Sequence, residues 1–210
     1  MAADPRPAPA EPKEGLLGDA DTTLRAFFAV ELGEPARRTA AEVARQLHSG
    51  PGGDDVRWVR SESLHVTLHF LGQIPRERVP SLAQCVGEEV APLSPFRLEL
   101  DGVRGFPSPR RPRVVVMDVS PRAPLEGLAR AVERGVVAAG FEPEARPFRA
   151  HLTLGRVRGR RAPSAGAPPA LGANFDVTET VLFRSELRPS GSRYTALERI
   201  RLEGGLESPP

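Results

Sequence analysis

One cysteine, Cys85, and one lysine, Lys13, occur in 210 residues, with a single tryptophan and a single tyrosine. The lone cysteine excludes an internal disulfide and any multi-cysteine zinc cluster. It falls at an apolar position of a helix-like stretch and reads as packing. No apolar run approaches the roughly 18 to 20 residues of a membrane span. The opening MAADPRPAPAEPKEG lacks the apolar segment of a secretory signal. The cytoplasm is therefore the expected compartment, and no membrane partner is expected. A formal charge of +2 is too small for bulk nucleic-acid binding, so any contact with RNA should be local. The arginine excess accompanies an excess of Ala, Pro and Gly and by itself decides nothing.

The hydrophobic content of 40% suffices for one domain or two small lobes sharing a core. Residues 1–22 are rich in Pro, Ala and acids without periodicity and are expected to form a disordered tail. Residues 203–210 read as a second tail. The domain spans 23–202, with a flexible loop at 159–172 where the apolar period lapses. Within it, LRAFFAVEL reads as a buried strand, followed by a helix carrying Ala36, Ala40, Val43, Ala44 and Leu47 at helical spacing. Two extended stretches, VRWVR and LHVTLHFL, come next. Pro75 then opens a helix with Val79, Leu82, Val86 and Val90 on one face. FRLELDG and RVVVMDVS are strands, Leu125 to Val136 a helix that Gly140 can end, and FRAHLTLGRVR a strand. VTETVLFRSEL and RYTALERIRL close the chain as strands around the turn RPSGS. Strand runs joined by hairpins with helices between them predict an α+β fold, bilobal, with antiparallel or mixed sheets rather than a doubly wound parallel one.

The internal repeat carries the chemistry. HVTLHFLG at 65–72 and HLTLGRVR at 151–158 begin alike, and chance expects only about 0.15 His-x-Thr triplets in such a chain. On a strand, residues two apart share a face, so His65 with Thr67 and His151 with Thr153 each pair an imidazole with a hydroxyl. Leu64, Val66, Leu68 and Phe70, with Leu152 and Leu154, are expected on the opposite, core face. Two such platforms facing one another across a groove suit phosphodiester hydrolysis: one imidazole takes a proton from water while the other gives one to the departing oxygen. The threonine hydroxyls can donate to the non-bridging oxygens. No metal and no cofactor is expected, because zincin and cysteine-cluster motifs are absent. His69 shares parity with His65 yet lies roughly 13 Å along an extended strand. His48 has only a surface or capping role. There is no Gly-x-Ser-x-Gly elbow and no Gly-rich phosphate loop bearing a lysine.

At RAFFAVEL, RWVRSESLHVTLHFLG, GFPSPRRPRVVVMDV, GFEPEARPFRAHLTLGRV and LFRSELRPSGSRYTAL the chain resembles the RNA 2′,3′-cyclic phosphodiesterases, also called 2′-5′ RNA ligases, of the 2H phosphoesterase superfamily. The resemblance implies a bilobal fold around a groove and hydrolysis of a 2′,3′-cyclic phosphate on RNA, including tRNA fragments, to a 2′-phosphomonoester by a monomer. It implies that His65 is the proton donor, His151 the acceptor, and Thr67 and Thr153 the phosphate contacts. Arg156 resembles a basic residue of the family, although its strand parity opposes His151, so a bulge or a strand end is needed to turn it to phosphate. Tyr194, Phe106, Arg113 and Trp58 also match family positions and are secondary candidates. Ala150 stands where proline is usual and Gly155 where alanine is common. Left open are RNA binding without turnover, ligation by the reverse reaction, and cleavage of 2′-5′ oligonucleotides.

Overall fold

The alternation after Leu24 forms strand β1 (Thr23–Glu31), and the helical spacing after it forms α1 (Glu34–His48) with Pro35 in its first turn. Strand β2 (Val56–Trp58) leads to β3 (His65–Pro75), α2 (Val79–Val90), β4 (Phe96–Phe106), β5 (Val114–Ser120) and α3 (Arg122–Ala138). Strands β6 (Leu152–Val157), β7 (Asn174–Val177), β8 (Glu179–Arg188) and β9 (Gly191–Arg201) complete the chain. This computed structural model describes residues 22–108, 110–159, 173–188 and 191–205. The tail expected at 1–22, all but Thr22, and the loop expected at 159–172, all but Gly159, lie outside those residues. So does 206–210. The end of the fold runs past residue 202: Glu203 and Gly204 donate backbone hydrogen bonds to the carbonyls of Ala91 and Leu93.

The strands form two sheets, ordered β3-β1-β8-β9 and β2-β6-β5-β4-β7. Every pairing is antiparallel. The α+β, bilobal reading therefore holds, with purely antiparallel sheets. A strand–helix–strand unit occurs twice, as β1-α1-β3 and β5-α3-β6, and each final strand pairs back on the first. The helices exchange sides: α1 packs on β2, β6 and β7 of the second sheet, whereas α3 contacts β3 and α2 contacts β9 of the first. This exchange places the inner faces of both sheets in one continuous core, from Phe28, Leu68 and Leu82 to Leu128, Leu152 and Leu154. Gly140, at φ +81°, ends the third helical segment in the left-handed conformation.

Three differences from the sequence reading concern backbone pairing. Residues 148–151 are not strand; β6 begins at Leu152, one residue after His151. Short β7, unforeseen, pairs with β4 at the sheet edge. In β3 the register slips twice against β1, around Leu68 and Leu71, because Phe28 faces His69 while Ala29 faces Thr67. One extra residue reverses the alternation. His69, assigned the face of His65, is thereby turned to the other face and buried at 3% exposure. Phe70, assigned to the core, emerges at 55% exposure.

Candidate active site

Strands β3 and β6 approach one another across the two sheets, so the sequence-related motifs face each other. Leu64, Val66 and Leu68, like Leu152 and Leu154, are buried in the common core as expected. The alternation then directs His65, Thr67 and Thr153 to the helix-free faces, where each is half-buried.

The two histidines are held alike. His65 Nδ1 lies 2.8 Å from the Ser63 carbonyl, and His151 Nδ1 lies 2.6 Å from the Arg149 carbonyl. A carbonyl only accepts, so each Nδ1 carries a proton and donates, which leaves Nε2 to exchange protons with a ligand. Each ring also has an aromatic support. His65 sits 4.9 Å from Phe27 and meets Tyr194 edge-on at 5.1 Å. His151 stacks on Phe106 at 5.0 Å with an interplanar angle of 16°. Tyr194 and Phe106, secondary candidates in the sequence, thus buttress the imidazoles. Phe27, Val181 and Phe183 form a small apolar layer under His65.

Burial, the dominant influence, holds both imidazolium groups below the ordinary histidine pKa. At His65 the Ser63 carbonyl and the Glu31 carboxylate oppose that shift, while the charge of His151 adds to it. At His151 the Arg149 carbonyl opposes it, the Arg104 guanidinium adds to it, and Asp118 opposes it. Each imidazole thus has charges of both signs nearby: Glu31 and His151 for His65, Arg104 and Asp118 for His151. Glu31 is fixed by Arg199 at 2.7 Å, and Arg104 is gripped by both oxygens of Asp118 at 2.8 to 3.0 Å.

Among the described residues, neither the Thr67 nor the Thr153 hydroxyl has a protein hydrogen-bond partner within the site. Of the bulge or strand end expected for Arg156, a bulge is present: Val116 faces Thr153 and Val115 faces Gly155, so Leu154 is the extra residue. Leu154 and Gly155 are both buried and Arg156 is exposed, which returns it to the face of Thr153. The unusual Gly155 fits closely, since a Cβ there would meet Val56 Cγ1 at 2.5 Å. Trp58 packs against the core and donates its indole N–H to the Gly53 carbonyl at 3.0 Å. Arg113 is exposed at the entry to β5. Among the described residues, neither Trp58, whose ring neighbour is His48 at 6.2 Å, nor Arg113 has a ring contact or hydrogen bond with His65 or His151. Among the described residues, no three His, Cys, Asp or Glu side chains are grouped to hold a metal ion.

The sequence reading missed Phe27, Glu31 and the Arg104–Asp118 pair. An available signal was Asp118, the one charge inside the β-branched run VVVMDVS.

A family model described as LigT like Phosphoesterase matches the chain twice, at residues 30–116 and 117–194. The RNA 2′,3′-cyclic phosphodiesterase of Methanothermobacter thermautotrophicus is 34% identical over 85% of this chain and 99% of its own length. That of Thermus thermophilus is 36% identical over 86% and 91%. A crystal structure of a Thermus thermophilus protein superposes with a TM-score of 0.74 at 31% identity, over 87% of this chain and all of the other. The Escherichia coli LigT complex with 3′-AMP gives 0.73 at 28% identity, over 86% and 98%. With one motif in each matched half and the bilobal fold shared throughout, the chain belongs to the LigT-like phosphoesterases of the 2H superfamily.

Proposed function

We propose that the chain is an RNA 2′,3′-cyclic phosphodiesterase that opens the cyclic phosphate to a 2′-phosphomonoester by acid and base catalysis between His65 and His151. The observation that carries this reading is the matched pair of imidazoles, each with Nδ1 tied to the carbonyl two residues back and Nε2 left for chemistry. The activity named for relatives aligned over most of the chain supports it.

In this mechanism His151 Nε2 takes a proton from water as the water oxygen attacks phosphorus. The P–O3′ bond breaks, and His65 Nε2 delivers a proton to the departing 3′ oxygen. The family resemblance, which assigns His65 as donor and His151 as acceptor, supports this division. Glu31 favours the charged, donating form of His65, while at His151 Arg104 favours the neutral, accepting form and Asp118 opposes it. Thr67 and Thr153 donate hydrogen bonds to the non-bridging oxygens, where negative charge develops. Arg156, on the same face as Thr153, supplies positive charge to the phosphate. Tyr194 fixes the tilt of His65 from its edge. The chain needs no cofactor for these steps, and it acts as a monomer in the cytoplasm on RNA ends, including tRNA fragments. One cysteine in 210 residues suits a reducing compartment.

The test is incubation of the purified protein with an RNA ending in a 2′,3′-cyclic phosphate, with EDTA present, followed by identification of the product end by phosphorus NMR. A 2′-phosphomonoester is expected. A 3′-phosphomonoester, or loss of activity on chelation, would refute the mechanism.

A further inference from the structure

Beside His151 lies a cavity of ≈ 280 Å3, lined by Arg104, Phe106, Arg122, Glu126, Phe148, Arg149 and Ala150. Arg104 is committed to Asp118, and Arg122 approaches the same carboxylate at 3.9 Å. Among the described residues, Arg149 has no carboxylate partner. Three guanidiniums thus meet two carboxylates, Asp118 and Glu126, and the positive surplus sits on the exposed Arg122 and Arg149. Arg122 is also the first residue of α3, whose unpaired N–H groups add to the positive potential. The cavity is one ring away from the catalytic imidazole. The guanidinium carbons of Arg104 and Arg149 lie 5.4 and 5.7 Å from the centre of the Phe106 ring on which His151 stacks.

We infer that this cavity is a second anion subsite, which holds the phosphodiester adjacent to the reacting end of an RNA strand and so favours oligonucleotide ends over mononucleotides. The inference rests on the proposed hydrolysis. Arginine suits the task because its planar fork matches two phosphate oxygens at once, and Arg149 can turn to a phosphate without leaving a carboxylate, while Arg122 gives up only a long 3.9 Å approach to Asp118. A mononucleoside cyclic phosphate carries only the reacting phosphate and leaves the cavity empty. A dinucleotide fills it.

The test compares kcat/KM for a mononucleoside 2′,3′-cyclic phosphate with that for a dinucleotide ending in the same group, in wild type, Arg122→Ala and Arg149→Ala. A preference of about tenfold for the dinucleotide is expected in wild type, as for one charge-assisted contact discounted for exposure. Each substitution should cut the ratio severalfold, and added salt should erode dinucleotide turnover more steeply. Equal kcat/KM for the two substrates in wild type, or a ratio that neither substitution moves, overturns the subsite. If neither substrate is hydrolysed, the functional reading fails and the subsite is decided by calorimetry. A dinucleotide with a terminal 2′-phosphate must then bind more tightly than a nucleoside 2′-phosphate, and that advantage must shrink in both variants; equal binding rejects it.

Discussion

At the scale of single residues, His65 and His151 are held alike, each by a carbonyl two residues back and an aromatic ring, with different charged neighbours. In the proposed mechanism removing either imidazole deletes one proton transfer, so His65→Ala and His151→Ala should each reduce kcat about 100-fold or more. Steady-state turnover of a cyclic-phosphate RNA checks this, with circular dichroism to show that the fold persists. Thr67→Val and Thr153→Val should each cost roughly tenfold to 100-fold in kcat/KM, because a donor to a developing charge is lost while shape is kept. Gly155 is set by contact rather than by chemistry. Its Cβ position is occupied by Val56 Cγ1 and crowded by the Arg57 carbonyl at 3.1 Å. Gly155→Ala should therefore destabilise the chain by about 1 to 3 kcal/mol through overpacking, measured by urea denaturation. The histidines and threonines were legible because parity along a strand needs only residue types and spacing. Phe27 was not, because in the run FFAV nothing marks which of two adjacent phenylalanines faces the groove.

At the scale of elements, periodicity located the three α-helices of the described residues and nearly every strand there, since each buries a regular face. It failed where one extra residue interrupts the period. The bulges in β3 and β6 depend on how each strand pairs with its neighbour, and no residue of either motif announces them. Their effects on the site are large: they withdraw His69 from the His65 face, expose Phe70 and turn Arg156 outward. The Arg104–Asp118 pair was hidden for a related reason, since it joins β4 to β5 and requires their register. The helix exchange was equally invisible, because amphipathic spacing says that a helix has a buried face but not which sheet covers it. That exchange brings α2 and α3 together, and a Cβ on Gly135 would lie 2.5 Å from Val86 Cα. Backbone cannot yield as a flexible side chain does. Gly135→Ala should lower stability by about 1 to 3 kcal/mol, seen as a lower midpoint in the same denaturation experiment.

At the scale of the molecule, three partly or fully buried histidines share one direction of shift. His65, His69 and His151 all have a folded pKa below the unfolded value, with burial the first cause in each. The unfolded chain therefore binds more protons than the native one as the pH falls through about 6.5, and stability must fall with it. Thermal melts should show a Tm lower at pH 5 than at pH 7.5, and part of that loss should disappear in His69→Gln. The same shifts govern catalysis. In the proposed mechanism turnover needs one imidazole charged and its partner neutral, and depressed values place that combination on the acid side of neutrality.

The most direct measurement is kcat/KM against pH for a 2′,3′-cyclic phosphate RNA, taken with wild type and with His65→Ala and His151→Ala. The expected wild-type profile is a bell with its maximum below about pH 6.5, and turnover in both variants should be lower by about 100-fold or more at every pH. A profile flat across that range, or a variant that keeps wild-type turnover, contradicts the two-histidine mechanism.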